Sequence, residues 1–104
     1  MRFQSKLKEL RLRSGLLQRQ IASAIGIDSA IYCKLEKGDR LASEAQVRAL
    51  ADLYKIDYNE FRRLWVAEKL YDILEEENEA HEILNIVAES IVEYGKCNSN
   101  KEGI

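Results

Sequence analysis

The residues of this 104-residue chain that could do chemistry are few of the reactive kinds and many of the cationic kind. There is one histidine, His81, and there are two cysteines, Cys33 and Cys97. His81 and Cys33 fall on different predicted helices, so no nucleophile stands beside a base, and a structural zinc site would want four ligands. No glycine-rich phosphate loop is present. The expectation is a protein that is not an enzyme and holds no metal or cofactor. The widely separated cysteines are expected to be free thiols. What remains is charge. Residues 1–40 carry nine Lys/Arg and four Asp/Glu, a net of +5, and residues 41–104 carry seven and fourteen, a net of −7. The nine cations of the basic part could face phosphate oxygens, which the acidic part would repel.

Those side chains need elements to aim them, and the pattern is helical. Proline is absent. Phe3, Leu7 and Leu10, with Leu12 as a further candidate, recur at helical spacing and predict a first helix to Arg13, closed by Ser14-Gly15. A second is expected from Gln18 to Ile25, with Ile21, Ala22 and Ile25 inward and Gly26 ending it. A third follows from an Asp28 N-cap to Lys37, with Tyr32 and Leu35 inward and Gly38 as its stop. Ser43 and Gln46 have the spacing of a capping box, which starts a fourth helix reaching Tyr54 on a stripe of Val47, Leu50 and Ala51. Asp57 and Glu60 repeat that signal for a fifth. The fifth is apolar on several sides: Phe61, Leu64 and Trp65, then Ala67, Leu70, Tyr71 and Leu74, then Val66 and Ile73. Such a helix needs cover on several sides. After an acidic "EEENE" bend, Asn78 is placed to cap a sixth helix to Tyr94, ended by Gly95, with Ala80, Ile83, Leu84, Val87, Ile91 and Tyr94 along one stripe.

The short second and third helices, with glycine between them, have the features of a helix-turn-helix. Ala22 is small enough for a steep crossing, and Gly26 lets the backbone reverse through positive φ. The outer face of the third helix is then left to Ser29, Ala30, Cys33, Lys34 and Lys37. A helix of that size fits the major groove of B-DNA, with its first turn at the base edges.

The stretch "LRLRSGLLQRQIASAIGID…YCKLEKGDR" resembles the lambda-repressor-like, or XRE, family. The likeness covers about Phe3 to Leu64 and rests on Leu-Arg before the Gly-Leu turn, Gln opening the second helix, Ala and Gly at their spacing, and a closing Leu-Glu-x-Gly. It implies a five-helix, all-α DNA-binding domain. By that resemblance Gln18 touches phosphate and braces the third helix, with Arg19 in the DNA-facing set. Ser29, Ala30 and Lys34 take base-facing positions, Lys37 and Arg40 approach phosphates, and Arg11 and Glu36 form an ion pair tying the first helix to the third. Tyr32 stands where an aliphatic residue is commoner and Cys33 where serine is frequent. Ala30 presents only a methyl, suited to a thymine methyl.

The organisation expected is therefore all-α: residues 1–64 a helix-turn-helix domain, 65–95 a helical extension for dimerisation, and 96–104 a flexible tail. Small regulators encoded beside restriction–modification genes end in a similar added segment. Leu70, Ile73, Leu74, Ile83, Leu84, Val87 and Ile91 are more apolar surface than a soluble monomer leaves in water, and are expected at a homodimer interface. The partners implied are double-stranded DNA and a second copy, with no small-molecule effector. No run is long and apolar enough to span a membrane, and cytoplasmic residence is the default. The other reading is an antitoxin-like interaction module that also binds DNA. The pattern leaves open whether such a regulator represses or activates.

Overall fold

The computed structural model of the chain describes residues 1–95. The expected tail, 96–104, and Cys97 lie outside the described residues. Among those described there are six α-helices and no strand: α1 (Phe3–Ser14), α2 (Gln18–Ile25), α3 (Ser29–Lys37), α4 (Glu44–Tyr54), α5 (Tyr58–Leu74) and α6 (Ala80–Ser90). A π-helical turn, Ile91–Gly95, follows α6. The chain divides into two compact units, the first Met1–Tyr71, the second beginning at Asp72.

In the first unit the apolar stripes converge on one core. Phe3, Leu7 and Leu10 of α1 meet Ile21 and Ala22 of α2, Tyr32 and Leu35 of α3, Val47, Leu50 and Ala51 of α4, and Phe61 and Trp65 of α5. Phe3 and Phe61 pack with ring centroids 4.9 Å apart. The Trp65 indole donates a hydrogen bond of 2.7 Å to the carbonyl of Ala42, pinning α5 to the segment before α4. Leu12 does not join the core and is 60% exposed. It lies off the Phe3–Leu7–Leu10 row, so the 3.6-residue period turns it to solvent.

Helix ends decide how closely α2 and α3 approach. Gly26 sits at φ 75°, and the Ile27 N–H reaches back to the Ala22 carbonyl at 2.9 Å. This six-to-one closure reverses the chain within two residues. The same closure ends α3 at Gly38, with the Asp39 N–H on the Lys34 carbonyl at 2.9 Å. It ends α4 as well, but there the left-handed residue is Lys55, at φ 55°. The Ser43–Gln46 capping box forms in both directions, at 2.9 and 3.2 Å. Asp57 accepts from the Glu60 N–H at 3.0 Å. Asp28 occupies the N-cap of α3, but its side chain makes no capping bond.

In the second unit two boundaries differ from expectation. Asn78 lies in a turn and Glu79 takes the N-cap position of α6. The Glu77 N–H closes the preceding turn on the Leu74 carbonyl at 3.0 Å, which leaves Asn78 outside the first helical turn. The helix also widens after Ser90 instead of running on as α-helix to Tyr94. The Ser90 hydroxyl donates back to the Ile86 carbonyl at 3.0 Å, a bond that competes with the regular ladder. No residue of α6 is buried.

Candidate nucleic-acid interface

α3 is nine residues long, and its single carboxylate points inward. Glu36 is buried, while Ser29, Ala30, Lys34 and Lys37 are exposed and Cys33 is half-buried. The helical period puts Ala30, Cys33, Lys34 and Lys37 on one side. That side is held by two helices behind it, α2 and α1. Ala22, at 1% exposure, lets α2 pass close beneath.

Glu36 is the hub of the hold. The Arg11 guanidinium reaches it with two parallel bonds, Nε to Oε2 and Nη2 to Oε1, both 2.8 Å. The remaining Arg11 nitrogen reaches the Leu16 carbonyl in the α1–α2 connection at 3.5 Å. Gln18 Nε2 donates to Glu36 Oε1 at 3.2 Å, so one carboxylate joins α1, α2 and α3. A planar fork on a carboxylate fixes orientation as well as distance. Burial works against the Glu36 charge, but the contacts from Arg11, Tyr32 and Gln18 outweigh it and hold the carboxyl below the ordinary carboxylate range. Hydrogen bonding to Glu36 in turn raises the Arg11 pKa, against burial. The hydroxyls of Tyr32 and Tyr54 are buried nearby without a hydrogen bond of full geometry. Burial first, and then the neighbouring Glu36, pushes the Tyr32 phenol well above its usual range.

The cations around α1 to α3 differ in what holds them. Arg11 is tied to Glu36, Arg2 to Glu68, and Lys6 and Arg13 share Glu9 at 3.3 Å each. Arg19, Lys34, Lys37 and Arg40 are exposed and make no ion pair among the described residues. They belong to the start of α2, the outer side of α3 and the turn after it. Exposed cations so placed can neutralise phosphate groups. Gln18 stands beside them with one amide proton engaged on Glu36.

The reading from sequence did not single out Arg2, Gln4 or Glu68. Glu68 of α5 is 7% exposed and receives the Arg2 guanidinium through two nitrogens, Nε at 3.2 Å and Nη2. The residues expected at an interface between copies lie as follows: Leu70, Ile73, Leu84, Val87 and Ile91 are exposed, and Leu74 and Ile83 are half-buried. No group of three or more His, Cys, Asp or Glu side chains is placed to hold a metal ion among the described residues. No helix among them is long and apolar enough to cross a membrane.

Residues 5–64 match the family model described as a helix-turn-helix domain. No curated protein and no solved structure matches the chain.

Proposed function

The chain belongs to the helix-turn-helix domain family, and from that premise we propose that it is a sequence-specific regulator of transcription of the lambda-repressor-like kind, acting on double-stranded DNA as a homodimer. The observation that carries the reading is the cluster of exposed cations on and beside α3. Arg19, Lys34, Lys37 and Arg40 stand without carboxylate partners around an α3 whose only carboxylate is committed to Arg11 behind it. Ser29, Ala30, Cys33 and Lys34 would read base edges, and Lys37, Arg40, Arg19 and the Gln18 amide would take phosphates. Arg11, Glu36, Ala22 and Gly26 act behind the interface, by setting the attitude of α3.

One such helix addresses only a few base pairs, so useful affinity needs two. The apolar side chains of Leu70, Ile73, Leu84, Val87 and Ile91 are 40–69% exposed, more than a soluble monomer commonly leaves in one segment. We assign them, with Leu74 and Ile83, to a twofold interface. The operator is then an inverted repeat whose half-sites lie about 34–36 Å apart, one turn of DNA. The helical extension is of the kind carried by small regulators encoded beside restriction–modification genes, and control of such genes is the corresponding expectation.

The test is sedimentation velocity, alone and with a labelled duplex. The proposal expects a dimer at micromolar concentration and two chains per bound duplex. A monomer that binds a single half-site with full affinity would overturn the dimeric part. An absence of salt-sensitive DNA binding would overturn the whole.

A further inference from the structure

A second buried carboxylate, Glu68 of α5, binds a side chain that lies against the far end of α3. Gly38 closes the helix at φ 86°, and the Gln4 side chain lies against it: a Cβ there would lie 2.8 Å from the terminal amide of Gln4 and 3.2 Å from its Cδ, so that Gln4 would have to move. Gln4 stands on the first turn of α1. With its amide nitrogen turned toward α5, it donates to both Glu68 oxygens, at 3.1 and 3.3 Å. The same carboxylate receives Arg2, whose guanidinium lies 4.1 Å from the centre of the Tyr71 ring. A charge that is 7% exposed is costly unless it is bonded on all sides, and Arg2 and Gln4 supply those bonds. Gln4 is thereby clamped between Glu68 and the glycine corner.

That corner carries the residues assigned to phosphate. Lys37 precedes Gly38 and Arg40 follows it by two. The N–H groups of Asp39 and Arg40 both return to the Lys34 carbonyl, at 2.9 and 3.3 Å. A shift of the corner therefore moves Lys37 and Arg40 together. We propose that Gln4 and Glu68 are positioning residues for DNA, fixing the Gly38 corner so that Lys37 and Arg40 reach the phosphate backbone. The inference rests on the DNA-binding reading given above. It adds a second anchor at the C-terminal end of α3, separate from Glu36, and joins that end to α5.

The experiment is the salt dependence of duplex binding by the full chain, measured by fluorescence anisotropy. Each phosphate contact contributes about 0.9 to the slope of log affinity against log salt on B-DNA. Partial unfolding would lower affinity by one factor at every salt concentration and leave the slope unchanged. Gln4→Met keeps the length and removes the amide. It is expected to lower the slope by roughly 1 to 2, the loss of one or both contacts. Lys37→Ala should then lower the slope in the wild-type background and scarcely at all in the Gln4→Met background. Glu68→Gln, of the same shape, should shift the slope in the same direction. A steep wild-type slope left unchanged by both Gln4→Met and Glu68→Gln would overturn the positioning role. A wild-type protein with no salt-dependent binding would overturn the DNA-binding reading instead.

Discussion

Replacing Arg11 by methionine is the sharpest perturbation of the interface that leaves its outer surface untouched. Arg11 and Glu36 are joined by two bonds of 2.8 Å, with side chains 15% and 4% exposed. Removing one partner of a buried pair typically costs about 3–5 kcal/mol, because the other charge is left without compensation. Gln18 still donates one bond to Glu36, which places the expected loss near the lower end, about 3 kcal/mol at pH 7. For a domain of this size that is a fall in Tm of roughly 15 °C. The pH dependence makes the test specific. In the wild-type chain the Glu36 pKa is lowered from 4.5, so its contribution is complete above pH 4.5 and is lost as pH falls through the folded value. Without Arg11 the largest contact opposing burial is gone, and the Glu36 pKa is expected to rise. The charged Glu36 is then less stable than in the wild-type chain at neutral pH, and protonation reduces that difference. Urea denaturation followed by Trp65 fluorescence at pH 7, 5.5 and 4 should show the deficit shrinking as pH falls. The double variant Arg11→Met/Glu36→Met should recover most of the loss. A deficit independent of pH, or a double variant worse than either single one, would refute the reasoning.

Three further outcomes follow from the same geometry. Lys37→Ala should weaken binding similarly on all sequences and reduce the salt slope by about 0.9, whereas Lys34→Ala should flatten base preference at one or two positions by ~1–3 kcal/mol; identical behaviour in anisotropy titrations would remove the distinction between phosphate and base contacts. Lys55 closes α4 in the left-handed region at φ 55°, so Lys55→Gly should stabilise the domain by about 0.5–1 kcal/mol in thermal melts, relief of side-chain strain being partly offset by glycine's greater freedom when unfolded. Leu74→Asp with Ile83→Asp should leave residues 1–64 folded by circular dichroism yet reduce the protein to a monomer that binds only half-sites weakly.

Legibility in the sequence tracked how local the determining interaction is. The ends of α2 and α3 were readable because Gly26 and Gly38 do locally what the backbone requires, and the start of α4 because Ser43 and Gln46 bond each other across three residues. The Arg11–Glu36 pair spans 25 residues and was anticipated only through the family likeness. Glu68 was opaque. It sits among Lys69, Tyr71 and Asp72 on a helix that is apolar on several sides, so no single inward face marks it, and its partner Arg2 is 66 residues away. Lys55 gave no glycine signal either. The closure there follows from the Ile56 N–H on the Ala51 carbonyl at 3.1 Å, just ahead of the Asp57 cap. The sequence carries no sign of the change of winding after Ser90, because Gly95 reads as a simple stop. In the structure it belongs to a widened turn, where a Cβ would lie 3.2 Å from the Ile91 side chain.

Sequence-specific reading of duplex DNA through the outer side of α3 is tested most directly by selection from a pool of random duplexes, carried out in parallel with wild type and with Lys34→Ala. The wild-type chain is predicted to enrich an inverted repeat with half-sites one helical turn apart, and Lys34→Ala to relax one or two symmetric positions within each half-site. A pool that stays random after repeated rounds with the wild-type chain, or a motif unchanged by Lys34→Ala, would contradict the account.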